Sequence, residues 1–200
     1  FAQMVGRGGI PDAEGSARPH DADPEHLRRT TEELIAMGTG SFLFTATGEP
    51  FVHPAALELM AACKAAGREC VANTNGLLLS RDVLDELLEM GFDQLRITTM
   101  AGTPELYEQT HPGTPGAAFE RMVENLRYLS ERKKALGVSR PEVCIITVAI
   151  SQNYDALLEV AQLAAEVGAE RVWFRPFDDL DDPCLAPLAP NPEQSTLVRR

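Results

Sequence analysis

The chain has 200 residues, of which 44% are hydrophobic, and this is enough for one substantial core. Its formal net charge of −12 disfavours a surface that binds nucleic acid or an anionic membrane. No apolar stretch approaches the roughly 20 residues of a membrane span, and the N-terminus has no charged-then-apolar signal segment, so we expect a cytoplasmic protein.

Helical and strand patterns alternate from residue 24 onward. Residues 24–38 carry apolar positions at helical spacing, starting at Asp23-Pro24 and ending at Gly38. The pattern then predicts strands at 41–46, 69–73, 93–99, 142–150 and 170–175, and helices at 54–66, 80–90, 104–109, 115–136 and 154–167. This strict alternation of four βα units and a final strand predicts a parallel sheet with right-handed crossovers.

The two ends of the chain do not follow this alternation. Residues 1–23 are rich in Gly, Pro, Asp and Ala and are predicted to form an irregular loop, whereas residues 178–200 combine an acidic run with repeated prolines and are predicted to form a flexible tail. The predicted domain is therefore 24–177. Because a parallel sheet usually begins with a strand, and because the first residue is Phe, we expect the first strand to lie upstream of Phe1.

The cysteines and histidines form no close metal-binding motif. Cys63 falls in an Ala-rich helix and Cys144 in an apolar strand, where a thiol usually behaves as a small hydrophobe. Glu49 and His53 have the i,i+4 spacing of a helical metal pair, but Pro50 and Pro54 argue against a continuous helix there.

Polar residues follow every predicted strand. In a parallel barrel these strand ends converge on one mouth, and their carboxylate, amide, hydroxyl and guanidinium groups suit a polar, zwitterionic or hydroxylated ligand. Asn75-Gly76 also fits a simple turn, and Asn153 a helix cap. The segments are Thr47-Gly48-Glu49-Pro50, Asn73-Thr74-Asn75-Gly76, Thr98-Thr99-Met100-Ala101-Gly102-Thr103, Ser151-Gln152-Asn153 and Arg175-Pro176-Phe177.

The order of these segments resembles that of the radical S-adenosylmethionine (SAM) enzymes. Thr47-Gly48-Glu49-Pro50 resembles the family's Gly-Gly-Glu-Pro motif, and Thr74-Asn75-Gly76 resembles its Thr-Asn-Gly motif. The segment from Thr98 to Thr103, with His111-Pro112-Gly113, is similar to the one that follows the family's fourth strand. The resemblance covers about residues 24–177 and implies an α/β fold, a partial parallel (β/α)6-type TIM-like barrel.

The resemblance also implies a site for SAM. Gly48 and Glu49 would meet the amino group of its methionine, and Thr98 would contact its ribose or carboxylate. Asn75 would support the pocket, Asn153 would reach the ribose, and Arg175 would meet a carboxylate of substrate or cofactor. The implied cofactor-binding residues are Thr47, Gly48, Glu49, Asn75, Thr98, Asn153 and Arg175.

One family motif is missing from this sequence. The family holds a [4Fe-4S] cluster through a Cys-x3-Cys-x2-Cys loop, and the four cysteines here, at 63, 70, 144 and 184, do not have that spacing. We therefore expect the cluster ligands upstream of Phe1, with residues 1–23 as the remnant of the loop that follows them, and we expect this chain alone to be inactive.

The function implied for the whole enzyme is reductive cleavage of SAM to a 5′-deoxyadenosyl radical, which abstracts hydrogen from a small-molecule or peptide substrate, with a separate reductant for the cluster. Two alternatives remain open. One is a cluster-free TIM-barrel-like lyase or isomerase that uses Glu49 as a general base. The other is a non-catalytic fragment that docks a partner through an open sheet edge.

Overall fold

The computed structural model describes residues 22–45, 48–177, 186–191 and 193–194. In these ranges it contains five strands, six α-helices and three short 3-10 helices, at Pro50–Val52, Tyr154–Ala156 and Ala186–Leu188. The longer elements are α1 (Pro24–Ala36), β1 (Ser41–Phe44), α2 (Ala56–Ala65), β2 (Glu69–Thr74), α3 (Arg81–Glu89), β3 (Gln94–Thr98), α4 (Pro104–Thr110), α5 (Gly116–Leu136), β4 (Glu142–Ala149), α6 (Leu157–Glu166) and β5 (Arg171–Pro176).

The five strands form one sheet in the order β1-β2-β3-β4-β5, and every neighbouring pair is parallel. The predicted parallel α/β architecture is therefore confirmed. Every predicted strand and helix has a counterpart in the structure. Because all the carboxyl ends lie at one edge of the sheet, the polar segments that follow the strands share that edge.

The two faces of the sheet have different surroundings. Leu95, Ile97, Val143 and Ile145 lie in a core cluster together with buried residues of the helices, such as Leu126 of α5. Since side chains alternate along a strand, the intervening residues point to the opposite face. We call that opposite face the inner face; its residues include Asn73, Arg96, Thr98, Cys144, Ile146, Trp173 and Arg175.

Local capping accounts for the helix boundaries. Ser80 Oγ accepts a hydrogen bond from Val83 N at 3.3 Å and starts α3, as predicted. Gly137 ends α5 with a φ of 67°. The helix predicted at 54–66 begins only at Ala56, because Pro50–Val52 forms a separate 3-10 turn before it. The helix predicted at 154–167 likewise opens with the 3-10 turn Tyr154–Ala156.

Two carboxylates hold the strands at the opposite, amino edge of the sheet. Each lies just before a strand and accepts a hydrogen bond both from a backbone N–H of the neighbouring strand and from a lysine of a helix. Asp93 accepts from Cys70 N at 2.7 Å and from Lys64 Nζ at 2.6 Å. Glu170 accepts from Val143 N and Lys133 Nζ. These contacts fix the register of the neighbouring strands at the amino edge of the sheet.

Part of the segment that we expected to be a flexible tail lies against the carboxyl edge. Leu188 O accepts a hydrogen bond from Ser151 N at 2.9 Å. Asn191 and Gln194 cap each other, because each side-chain oxygen accepts from the other residue's backbone N–H, at 2.9 and 3.0 Å. Cys184 lies outside the described residues. Across the described ranges, the search for a helix long and apolar enough to cross a membrane found none.

Candidate functional site

Glu49 is held at the carboxyl edge by the end of the neighbouring strand. Its Oε1 accepts a hydrogen bond from the Thr74 hydroxyl at 2.6 Å and a longer one from Phe51 N at 3.4 Å. Its Oε2 accepts from Asn75 N at 2.8 Å. A carboxylate has about four lone-pair positions, so these three bonds fix the side chain and leave room for a further donor. The half-buried carboxylate can therefore accept hydrogen bonds from a ligand ammonium group.

The turn after β2 is built around this carboxylate. Thr74 Oγ1 also accepts from Gly76 N at 3.0 Å, and Asn75 Oδ1 accepts from Leu77 N at 3.0 Å. Gly76 has a φ of +76°, and a Cβ there would lie 3.0 Å from Met122 Cγ, so the turn requires glycine. Within the described part of the chain the Asn75 side-chain NH2 has no partner, which leaves it available to a ligand.

Gly48 borders open space. A Cβ added at this residue would meet no atom within 4 Å, and its backbone is not in the left-handed region. The packing of the described residues therefore does not explain the glycine, whereas a ligand that approaches the backbone beside Glu49 would. Thr47, the other residue predicted in this loop, lies outside the described residues.

Thr98 lies at the carboxyl end of β3 on the inner face. It is half-buried, and its hydroxyl bonds to no other described residue. A free hydroxyl near the free Asn75 amide and the Glu49 carboxylate offers a donor and acceptor set that suits an amino acid carboxylate, an ammonium group and a ribose. The described residues therefore fit SAM.

Asn153, in contrast, is committed to the backbone. The side chain is fully buried; its Nδ2 donates to Met100 O and Val148 O, both at 2.9 Å, and its Oδ1 accepts from Ile150 N at 2.8 Å. These bonds join the loop after β3 to the end of β4. A direct contact with a ribose would have to break them, so in this conformation Asn153 supports the carboxyl edge.

Arg175 lies on the inner face near the end of the edge strand β5. Its guanidinium carbon is 5.9 Å from the centre of the Trp173 ring. Trp173 is 51% exposed, which is unusual for a tryptophan. No motif in the sequence marks Trp173 as a site residue, although the alternation along β5 places it on the same face as Arg175.

Gly102 shows how closely the loop after β3 approaches α6. A Cβ there would lie 2.4 Å from the backbone carbon of Glu159 and 2.7 Å from Val160 N. Only glycine allows this contact. The loop that contains Met100 is thus fixed from two sides, by α6 and by Asn153.

His111, in the His111-Pro112-Gly113 segment, is a half-buried neutral group. Its ring stacks on Tyr107 at 4.0 Å, and Nδ1 lies 3.0 Å from Thr110 Oγ1. Burial lowers the pKa of His111 to about 4 and raises the pKa of Tyr107 to about 12. Both side chains are therefore neutral at pH 7 and pack at the end of α4.

The described cysteines do not fit an iron–sulfur cluster. Cys63, Cys70 and Cys144 are buried in α2, β2 and β4, and burial raises the pKa of each thiol, that of Cys70 to about 12. Cluster ligands are thiolates, and a group of three or more Cys, His, Asp or Glu residues placed to hold a metal ion does not occur among the described residues.

The chain matches a known family over most of its length. The family model described as the radical SAM superfamily matches residues 7–171. The chain belongs to this superfamily. The resemblance seen in the order of the motifs is therefore confirmed, and with it membership of an enzyme family.

Three curated proteins of the following names match the chain. The tungsten-containing aldehyde ferredoxin oxidoreductase cofactor-modifying protein of Pyrococcus furiosus is 29% identical over 129 residues, 64% of this chain and 35% of that protein. The AdoMet-dependent heme synthase of Methanosarcina barkeri is 25% identical over 72% of this chain and 39% of its own length. The PqqA peptide cyclase of Ruegeria pomeroyi is 28% identical over 158 residues, 79% of this chain and 39% of its length. The chain thus spans less than two fifths of each relative.

Solved structures share the fold. Streptococcus suis SuiB bound to the precursor peptide SuiA has a TM-score of 0.65 and 15% sequence identity, over 92% of this chain and 40% of SuiB. Native anSMEcpe with bound AdoMet and Kp18Cys peptide has a TM-score of 0.65 and 18% identity, over 94% of this chain and 52% of anSMEcpe. These neighbours support the TIM-like architecture, with the inner face of this sheet as the wall of a partial barrel.

Proposed function

We propose that this chain is the SAM-binding core of a radical SAM enzyme that modifies a peptide or a small molecule. The observation that carries the proposal is the Glu49 carboxylate, which Thr74 and Asn75 hold at the carboxyl edge with acceptor capacity to spare. An ammonium group is the ligand that such a carboxylate suits best. Membership of the superfamily supports SAM as the molecule that supplies it.

Each residue at the edge has a proposed part in holding SAM. Glu49 and the backbone at Gly48 bind the methionine ammonium. The Asn75 amide and the Thr98 hydroxyl bind the carboxylate or ribose. Asn153 acts at one remove, because its bonds to Met100 O and Val148 O position the loop beside the ribose. Arg175 provides a positive charge at the rim for a carboxylate.

The [4Fe-4S] cluster requires cysteine ligands, and this sequence does not contain the Cys-x3-Cys-x2-Cys motif that supplies them in the family. If bound upstream and reduced by a partner, the superfamily's [4Fe-4S] cluster would supply the electron for reductive cleavage of SAM to a 5′-deoxyadenosyl radical that abstracts hydrogen. We propose that its cysteines lie upstream of Phe1 and that a cytoplasmic reductant serves it. The part of this chain is to bind SAM, orient it and exclude water from the inner face.

The names of the relatives support two kinds of substrate. SuiB and anSMEcpe have been solved with peptides, and the Ruegeria pomeroyi relative is a PqqA peptide cyclase. The Methanosarcina barkeri relative is a heme synthase, and the Pyrococcus furiosus relative is a cofactor-modifying protein. We therefore propose a peptide or a small molecule, bound on the inner face next to SAM.

Anaerobic reconstitution with iron and sulfide tests the proposal. It would be applied to this chain and to a version extended upstream through the preceding residues of its gene, with EPR spectra recorded with and without SAM. We expect a cluster signal that SAM perturbs in the extended version only. A cluster in neither version would overturn the radical mechanism and favour the cluster-free use of Glu49. A SAM-responsive cluster in the 200-residue chain would overturn the placement of the ligands.

A further inference from the structure

Arg96 is a positive charge within the wall of the barrel. It lies at the middle of β3 on the inner face and is half-buried. Asn73 of β2 and Cys144 of β4 flank it in the strand register, and neither is acidic. Arg96 precedes Thr98 by two residues, which places it about 7 Å deeper along the strand than the hydroxyl assigned to SAM. It is therefore outside the proposed SAM site.

The guanidinium of Arg96 has no carboxylate partner among the described residues. Its Nε donates to Gln94 Oε1 at 2.7 Å. The adjacent acid, Glu142, is already engaged, because its Oε1 pairs with Arg171 Nε at 2.6 Å and its Oε2 accepts from Gln94 Nε2 at 3.1 Å. Gln94 thus orients Arg96 from one side. The two terminal nitrogens of the guanidinium, Nη1 and Nη2, make no hydrogen bond within the described ranges.

The charge of the inner face is opposite to that of the protein. The chain carries a net charge of −12, yet the charged residues at inner-face positions are three arginines, at 96, 171 and 175, and two glutamates, at 69 and 142. Glu69 lies at the amino end of β2, about 13 Å along the strand from the level of Arg96. The inner face from the level of Arg96 to the carboxyl ends of the strands therefore carries a local positive charge.

Asn73, beside Arg96, presents an unpaired acceptor. Its Oδ1 is buried and has no hydrogen-bond partner among the residues that the structure describes, and a buried polar atom of this kind is costly unless something satisfies it. An N–H or O–H donor on a molecule bound against the wall would do so. The guanidinium of Arg96 and the amide oxygen of Asn73 would together suit one ligand that carries an anionic group next to a hydrogen-bond donor.

We propose that Arg96 binds an anionic group of the substrate, a carboxylate or a phosphate, on the inner wall below SAM, while Asn73 accepts from a neighbouring N–H or O–H of the same substrate. This inference rests on the proposed function and names the substrate class of that site. The planar guanidinium fork matches both anions bidentately. A half-buried arginine without a counter-charge has charge-assisted hydrogen bonds still to make, and the substrate anion provides the counter-charge.

The test uses three small probes with the same backbone amides: N-acetyl-glutamate N-methylamide, N-acetyl-phosphoserine N-methylamide and the neutral N-acetyl-glutamine N-methylamide. Their binding to the 200-residue chain would be measured by ligand-observed NMR, with SAM binding measured in parallel. The variants are Arg96→Gln, Arg96→Lys and the control Arg121→Gln, which changes an exposed arginine of α5. Circular dichroism checks that each variant is folded.

We expect an anionic probe to bind at least about tenfold more tightly than the neutral one. Arg96→Gln should abolish this preference, Arg96→Lys should keep part of it, and Arg121→Gln should change nothing. The anionic probe that binds more tightly shows whether the site prefers a carboxylate or a phosphate.

Three results would overturn the inference. They are equal binding of all probes by the unchanged chain, an unchanged preference in Arg96→Gln, and a loss of SAM binding in Arg96→Gln that parallels the loss of probe binding. Probe binding does not need the cluster. A failure of cluster reconstitution would therefore count against the proposed function, whereas the probe measurements would decide the role of Arg96 independently.

Discussion

The bonds of Glu49 make a quantitative prediction for Glu49→Gln. The glutamine has the same shape, but it can offer its oxygen either to the Thr74 hydroxyl or to Asn75 N–H, which lie 2.6 and 2.8 Å from the two carboxylate oxygens. Its NH2 group must face the other. If it faces Asn75 N–H, two donors oppose each other. If it faces Thr74, the hydroxyl hydrogen loses its acceptor.

The expected cost follows from the strength of hydrogen bonds to charged groups, about 1.5–3 kcal/mol each. Because Glu49 is partly exposed, which weakens the lost bond, we expect a cost around the low end of this range, about 1–2 kcal/mol of unfolding free energy. For a domain of this size that corresponds to a fall in Tm of roughly 2–8 °C. The affinity for SAM should fall by roughly 10- to 100-fold, because the ammonium loses its charged partner.

Thermal unfolding followed by circular dichroism would measure the change in a double-mutant cycle of Glu49→Gln with Thr74→Val. Since the two side chains share a bond, we expect a coupling of about 1 kcal/mol. Glu124→Gln, at an exposed acid in the interior of α5, is the control and should leave Tm unchanged. If the effects of Glu49→Gln and Thr74→Val are additive, the carboxylate is not held as described. If SAM affinity is unchanged in Glu49→Gln, the assignment of the ammonium to Glu49 is wrong.

Three further variants test the scaffold around the site. Gly102→Ala should lower stability by about 1–3 kcal/mol, because its Cβ overlaps the backbone of α6; Gly40→Ala, where a Cβ meets nothing within 4 Å, is the control, and equal Tm values for the two would contradict the close approach. Asn153→Ala leaves two carbonyls and one N–H without their partner and should cost about 2–4 kcal/mol in urea unfolding; a loss under 0.5 kcal/mol would show that water replaces the amide. Burial holds the pKa of His111 near 4, below its ordinary value of 6.5, so the unfolded chain binds more protons between these values, and stability should be complete above about pH 6.5 and fall as pH decreases towards 4. His111→Gln should remove this part of the pH dependence, whereas His26→Gln, at an exposed position, should retain it; the same slope in both variants would refute the assignment.

Most of the secondary structure could be predicted from local patterns. Ser80, Thr103 and Gly137 mark helix ends through contacts with residues a few positions away, so the signals are complete within a short window. The start of α2 was predicted two residues too early, and the reason for this error is also local. The 3-10 turn at Pro50–Val52 follows from Glu49, whose side chain accepts from Phe51 N at 3.4 Å, a contact that hydrophobic periodicity does not reveal.

The candidate site was predictable in its types of residue but only partly in their roles. Glu49, Asn75 and Thr98 are found at the carboxyl edge, with hydrogen-bonding capacity left for a ligand. Asn153 has the same polar character in the sequence, yet its amide is used entirely on backbone groups. The difference depends on Met100 O, 53 residues away, and no local pattern contains it.

The sequence alone was sufficient for the order of the strands and helices, their parallel arrangement and the family, because periodicity, caps and motif order are properties of neighbouring residues. The folded chain was needed to show which polar groups are already satisfied. Glu49 meets Thr74 across 25 positions. Arg96 and Asn73 lie side by side on adjacent strands, and among the described residues the terminal guanidinium nitrogens of Arg96 and the Oδ1 of Asn73 have no partner. Hydrogen-bond and charge pairing is decided by distances of a few ångströms in space, so only the tertiary structure distinguishes a supporting side chain from one that remains available to a ligand.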